Sequence, residues 1–154
     1  MTKRDGSGVA HILISRGKSP VSALIRHFDN GPPRHWSHGG IVVDGRVVES
    51  RWGRGVVVSS IAEFESRASR VAMLRFMLPC KADADAWLAQ QVGKGYDYLA
   101  ILGRVARQDW QEERRWHCWE LIESYLTAGG LQRFRGGPQR ITPNAGYDNL
   151  YGVF

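Results

Sequence analysis

Two short segments hold the residues whose types and spacing suit chemistry. Ser37-His38-Gly39-Gly40-Ile41-Val42-Val43 reads as a buried strand that opens with a histidine. His117-Cys118-Trp119-Glu120-Leu121-Ile122 reads as the first turn of an amphipathic helix that opens with a cysteine. A thiol at a helix N-terminus and an imidazole on a facing strand are the two parts a cysteine nucleophile needs. The imidazole takes the proton, and the helix end and the imidazolium both favour a thiolate. Glu120 and Glu123, in the same first turns, work against that charge, and Trp116 and His117 are poor N-cap residues.

Hairpin geometry supplies a third group. Asp44-Gly45 is a strong two-residue turn signal. With these two at the centre of a type I′ turn, Val43 pairs with Arg46, Val42 with Val47, Ile41 with Val48 and Gly40 with Glu49. Alternation then puts His38, Gly40, Val42, Val47 and Glu49 on one face. Glu49 lies diagonal to His38, roughly 7–8 Å away between backbones, and Gly40 opposite it has no side chain to obstruct the contact. A carboxylate there fixes the imidazole tautomer and stabilises the imidazolium, the third role in a catalytic triad. Each residue also has an ordinary reading on its own. Cys118 heads the apolar stripe of its helix, as a small packed hydrophobe would. His38 is then a satisfied strand histidine and Glu49 a solvated strand-edge acid.

The elements that must position these groups follow from periodicity and punctuation. Ala10 to Ser15 is a β-rich run ended by Arg16-Gly17. Ser19-Pro20, followed by Val21, Leu24, Ile25 and Phe28 at helical spacing, predicts a helix over about 20–29. Strands follow at 40–43, 46–50, 56–58 and 70–77, with a brief capped helix after Ser59-Ser60. Beyond Pro79 three helical faces appear: Ala84, Trp87, Leu88, Gln91 and Val92, closed by Gly93; Tyr98 to Ala106; and Cys118 to Leu126, stopped by Gly129-Gly130. Strands first and helices after is the α+β pattern, a small antiparallel sheet of about five strands packed with helices. One domain spans residues 1–154, with a polar tail over 1–8 and a loop-rich tail over 131–154.

Composition narrows the class. Hydrophobic content of 43% and charged content of 23% are those of an ordinary globular domain. Two cysteines, Cys80 and Cys118, are too few for a disulfide framework, and Cys80 after Pro79 reads as inert packing. A net charge of +6 rests on 17 arginines among 21 basic residues, scattered along the chain with no nucleic-acid motif. No apolar run approaches the ~20 residues of a membrane span, and the polar start lacks a signal-peptide core. Cytoplasmic residence is the default expectation, with delivery by phage or release by lysis as the other routes. A zinc site from His35, His38, His117 and Cys118 lacks ligand spacing, and no cofactor is expected.

Taken with Val47-Val48-Glu49-Ser50 and Gly95-Tyr96-Asp97, the two opening segments resemble the circularly permuted branch of the NlpC/P60 papain-like superfamily. The similarity runs over most of residues 10–128. In that branch a Ser-His-x-Gly-Ile strand precedes a late Tyr-Cys-Ser-Glu-Leu-like helix start. The resemblance implies a papain-like α+β fold with Cys118 as nucleophile, His38 as base and Glu49 as the orienting group. By the same match Tyr96 lines the substrate pocket, and Ser37 and Trp119, each next to a catalytic candidate, are the further substrate-binding candidates. Two departures stand out: Trp119 replaces a small serine beside the nucleophile, where it narrows the cleft or turns into the core, and Trp116-His117 replaces the usual tyrosine.

The expected function is a cysteine peptidase, amidase or acyl hydrolase acting through an acyl-enzyme. Its substrate is a peptide, amide or acyl compound, peptidoglycan-derived or lipid-like. The alternative is a catalytically inactive binding or assembly module on the same fold, as in a phage or envelope component. The enzyme reading requires the Cys118 sulfur within about 4–5 Å of one His38 nitrogen, Glu49 on the other, and both side chains on one side of the sheet. Oligomeric state has no signature in the sequence.

Overall fold

The computed structural model of the chain describes residues 7–19, 36–51, 53–94 and 117–133. In order these form β1 (Gly8–Gly17), β2 (His38–Val43), β3 (Arg46–Arg51), β4 (Gly55–Ser60), α1 (Ile61–Ser66), β5 (Ala68–Leu78), α2 (Lys81–Ala89) and α3 (His117–Ala128). The strands make one sheet in the order β4-β3-β2-β1-β5, and every neighbouring pair is antiparallel. The α+β class with a five-stranded antiparallel sheet is therefore as the sequence predicts.

The β2–β3 hairpin sets the register that matters most. Asp44 and Gly45 have φ of 49° and 71°, the left-handed pair a type I′ turn demands. Gly40 pairs with Glu49, Ile41 with Val48, Val42 with Val47 and Val43 with Arg46, the expected alignment. β4 and β5 run longer than their valine and arginine-to-methionine runs suggest, so Ser59 is a strand residue and Ser60 alone caps α1, accepting from Glu63 N–H at 3.0 Å. α2 is shorter than its apolar periodicity implies. Its last expected positions, Gln91 and Val92, lie in a turn that ends at Gly93, whose φ is 81°.

Alternation divides the sheet into two apolar faces. Ile12, Ile14, Ile41, Val48, Leu74, Phe76 and Leu78 pack against Ala84 and Leu88 of α2 and Trp119, Ile122, Tyr125 and Leu126 of α3. On the opposite face Leu13 and Val47 lie under Phe64 of α1, flanked by Val42, Ile61 and Val71. α3 ends in a Schellman motif: Leu131 N–H donates to Leu126 C=O at 2.8 Å and Gly130 N–H to Thr127 C=O at 2.9 Å, with Gly130 at φ 86°.

The expected tails are tied in at their inner ends. Gly8 already pairs with Leu78, Leu131 packs on the core, and Arg133 forms a buried ion pair with Glu123 at 3.1 Å. The expected helices over 20–29 and 98–106, Tyr96, His35 and the tail from Arg135 lie outside the described residues. Among the described residues no helix is long and apolar enough to cross a membrane.

Candidate active site

β2 begins at a junction with β1 that fixes where His38 stands. Ser37 N–H donates to Ser15 C=O at 3.0 Å, and the Ser37 hydroxyl accepts from Gly17 N–H at 2.9 Å. The same hydroxyl donates to Ser15 C=O at 3.5 Å. Ser37, expected at the substrate, is buried, and its hydroxyl ties two strand ends together.

The next residue, His38, meets Glu49 as hairpin geometry predicts. Its Nε2 lies 2.6 Å from Glu49 Oε2. Glu49 is 0% exposed, so it is not a solvated edge acid. A buried carboxylate is costly unless paired and hydrogen-bonded. The second oxygen, Oε1, accepts from the Ser59 hydroxyl at 2.5 Å and from Arg67 Nη2 at 2.5 Å. Burial alone would push the Glu49 carboxyl up. The hydrogen bond and charge of His38, helped by Ser59 and Arg67, outweigh it and bring the pKa down to about 2.

Sequence reasoning missed both Ser59 and Arg67. Extending the strand register one hairpin further finds Ser59, since Val47 pairs with Ser59 while Glu49 pairs with Val57 on the same face. Arg67 has no local signal, because it reaches Glu49 from the end of α1.

Cys118 arrives from the other side of the sheet. His38 and Glu49 belong to the face that carries α1, whereas α3 packs on the opposite face. The condition that both side chains lie on one side of the sheet is therefore not met as stated, and the approach of thiol to imidazole depends instead on the open end of β2. His38 is the first residue of β2, so no further residue of that strand lies between its ring and the other face. Gly39 lets α3 come close: a Cβ there would lie 2.8 Å from Ile122 Cδ1. Ile122 is one turn beyond Cys118, which brings the thiol to the start of β2, close enough to His38 to act on its protonation. With Nε2 engaged by Glu49, Nδ1 is the nitrogen left to face sulfur. Burial disfavours the imidazolium, but hydrogen bonds and opposite charge from Cys118 and Glu49 prevail and raise the His38 pKa from 6.5 to about 9.

Around the thiol the surroundings are mostly apolar. Cys118 is 8% exposed, and α3 starts one residue before it, so its N–H is among the first four without an intrahelical acceptor. Trp119, expected at the substrate, is fully buried in the core, and its Nε1 has no hydrogen-bond partner among the described residues. Glu123, expected to oppose a thiolate, is itself buried. Burial pushes its pKa up to about 7 against the pull of Arg133, which leaves the carboxyl partly neutral near pH 7.

Cys80 is exposed at the start of α2, where inert packing was expected. Among the described residues there is no group of three or more side chains suited to hold a metal ion. The arrangement sets a thiol at the N-terminal turn of α3 near an imidazole that is hydrogen-bonded to a buried carboxylate. No protein-family model matches the chain. No curated protein matches it in sequence.

Proposed function

We propose that the protein is a cysteine-dependent hydrolase of an amide, peptide or acyl bond, built on the papain-like fold of the permuted NlpC/P60 branch. One observation carries the reading: His38, bonded to the buried Glu49 carboxylate at 2.6 Å, stands at the strand start that the Cys118 end of α3 approaches over Gly39. Supporting it are the histidine at a strand start, the cysteine at a helix start and the five-stranded antiparallel sheet between them.

In this reading Glu49 accepts from Nε2–H, which turns Nδ1 toward sulfur and favours the thiolate–imidazolium pair. The thiolate attacks the carbonyl carbon, forming a C–S bond, and the oxyanion accepts from Cys118 N–H. The imidazolium gives its proton to the leaving nitrogen or oxygen as that bond breaks, leaving a thioester. His38 then removes a proton from water, which attacks the thioester and returns the carboxylic acid and the thiolate. The motif resemblance alone suggests cell-wall peptide as the substrate.

A binding or assembly module is the second reading, favoured by the deep burial of Cys118 in the core cluster. Mass spectrometry separates the two. Incubation with a panel of acyl thioesters, activated esters and peptide amides should leave an acyl adduct on Cys118 and release product, with Cys118→Ala and His38→Ala both inactive. No adduct and no Cys118-dependent turnover would leave the module.

A further inference from the structure

Six residues long, α1 approaches the candidate site from the face opposite α3 and touches it twice. The Phe64 ring lies 5.7 Å from the His38 ring with the planes 27° apart, a stacked pair. Arg67, the residue that closes α1, holds its guanidinium 5.9 Å above the same Phe64 ring. Its Nη2 donates to Glu49 Oε1, and its Nε donates to Glu63 C=O at 3.2 Å. Contacts therefore run in a closed circuit from Arg67 to Glu49, Glu49 to His38, His38 to Phe64, and Phe64 back to Arg67.

The circuit has a consequence for the imidazole. A carboxylate turns about its last bond with little torsional preference, so an unpartnered Glu could offer either oxygen in many orientations. Here Ser59 and Arg67 occupy Oε1, which leaves Oε2 for His38. A single hydrogen bond would still let the ring pivot about the Nε2···Oε2 line, and the face of Phe64 opposes that pivot. The arginine fork suits this role because it has donors in two directions, one to the carboxylate and one to the helix carbonyl; lysine has a single ammonium.

We infer that Arg67 and Phe64 form a clamp that holds the His38 imidazole with Nδ1 toward Cys118, and that Arg67 is a positioning residue acting through Glu49. The inference rests on the hydrolase reading for its meaning. Among the described residues, the charged and titratable groups bearing on His38 are Glu49 from β3, Cys118 from α3 and Arg67 after α1. A group that merely closes α1 would affect folding but not thiol reactivity.

The test uses the full chain in a Cys80→Ser background, with the rate of Cys118 alkylation by iodoacetamide followed from pH 5 to 9. Arg67→Met should keep the folded circular dichroism spectrum, since Arg67 is one-third exposed, yet lower the alkylation plateau about tenfold or more, as misplaced reacting groups do. Arg67→Lys should recover only part of the loss, because it keeps a cation for Oε1 but not the second donor to the Glu63 carbonyl. Phe64→Leu, which keeps apolar volume without a ring face, should slow alkylation several-fold. Wild-type rate and pH profile in Arg67→Met would overturn the clamp. If that variant does not fold, an unchanged profile in Phe64→Leu overturns it instead. His38→Ala separates the two readings. If it alkylates like wild type, the hydrolase reading falls; if it slows while both clamp variants do not, only the clamp falls.

Discussion

His38 and Glu49 are bonded at 2.6 Å on a diagonal between adjacent strands, across Gly40, which pairs directly with Glu49. The bond exists because three positions agree: a histidine opening β2, an acid near the far end of β3, and between them a residue with no side chain. Asp44-Gly45 sets the register, and a slip of one residue would turn Glu49 to the other face.

Gly40→Ala should therefore damage both fold and site. A Cβ at this position would sit 2.5 Å from Val47 Cγ1 and 3.3 Å from Glu49 Cβ, inside the packed pair it has to clear. Urea denaturation should show a loss of about 1–3 kcal/mol, the usual range for overpacking. Gly45→Ala is the control, because its φ is 71° but nothing lies within 4 Å, so only backbone strain of about 1–2 kcal/mol applies. Slower Cys118 alkylation in the first variant and not the second would tie the effect to the His38–Glu49 contact.

Replacing Glu49 by glutamine keeps its shape and removes its charge. Two of the influences that raise His38, the hydrogen bond and the attraction of Glu49, would weaken or vanish. The His38 midpoint, read from imidazole resonances in NMR, should fall well below about 9. An unchanged midpoint in a folded Glu49→Gln variant would show that Glu49 does not hold the imidazolium.

Three shifted groups, the buried Glu49 and Glu123 and the half-buried His38, together give stability an unusual dependence on pH. Glu49 is lowered from 4.5 to about 2, so its contribution is complete above 4.5 and lost as pH falls toward 2. His38 is raised from 6.5 to about 9, so its contribution is complete below 6.5 and lost as pH climbs through 9. Glu123 is raised from 4.5 to about 7, so the folded state binds its proton more tightly and stability falls between those values. Their sum rises to about pH 4.5 and declines from there to about 9. Denaturation midpoints across this range should show that maximum. Glu123→Gln should flatten the limb between 4.5 and 7, and His38→Ala the limb between 6.5 and 9.

Trp119 is now a core residue, and the expected outcome of changing it follows from that. Trp119→Ser removes a fully buried indole from the cluster shared with Ile122, Tyr125 and Leu126 and should destabilise the protein by about 3–5 kcal/mol. Trp119→Phe should cost less, since Nε1 has no hydrogen-bond partner to lose among the described residues. Thermal melts of the two variants give the comparison. Equal melting temperatures for Trp119→Ser and wild type would contradict the burial.

What the sequence alone determined is everything that depends on local periodicity or on one turn. Asp44-Gly45 dictates the β2–β3 register, since few residues tolerate two positive φ angles in succession, and that register brings Glu49 to His38. The apolar spacing from Cys118 to Leu126, stopped at Gly129-Gly130, likewise determines α3. Tertiary structure decided what meets across elements distant in the chain. Only packing carries Arg67 back onto Glu49, turns Trp119 inward and leaves Cys80 exposed. It also decided that Cys118 reaches His38 around the end of β2, from the opposite face of the sheet. Side-chain alternation says which face a strand residue takes. It does not say how close a helix on the other face can come to the strand's first residue; that distance depends on the packing of Ile122 over Gly39, whose partners lie more than eighty residues apart in sequence.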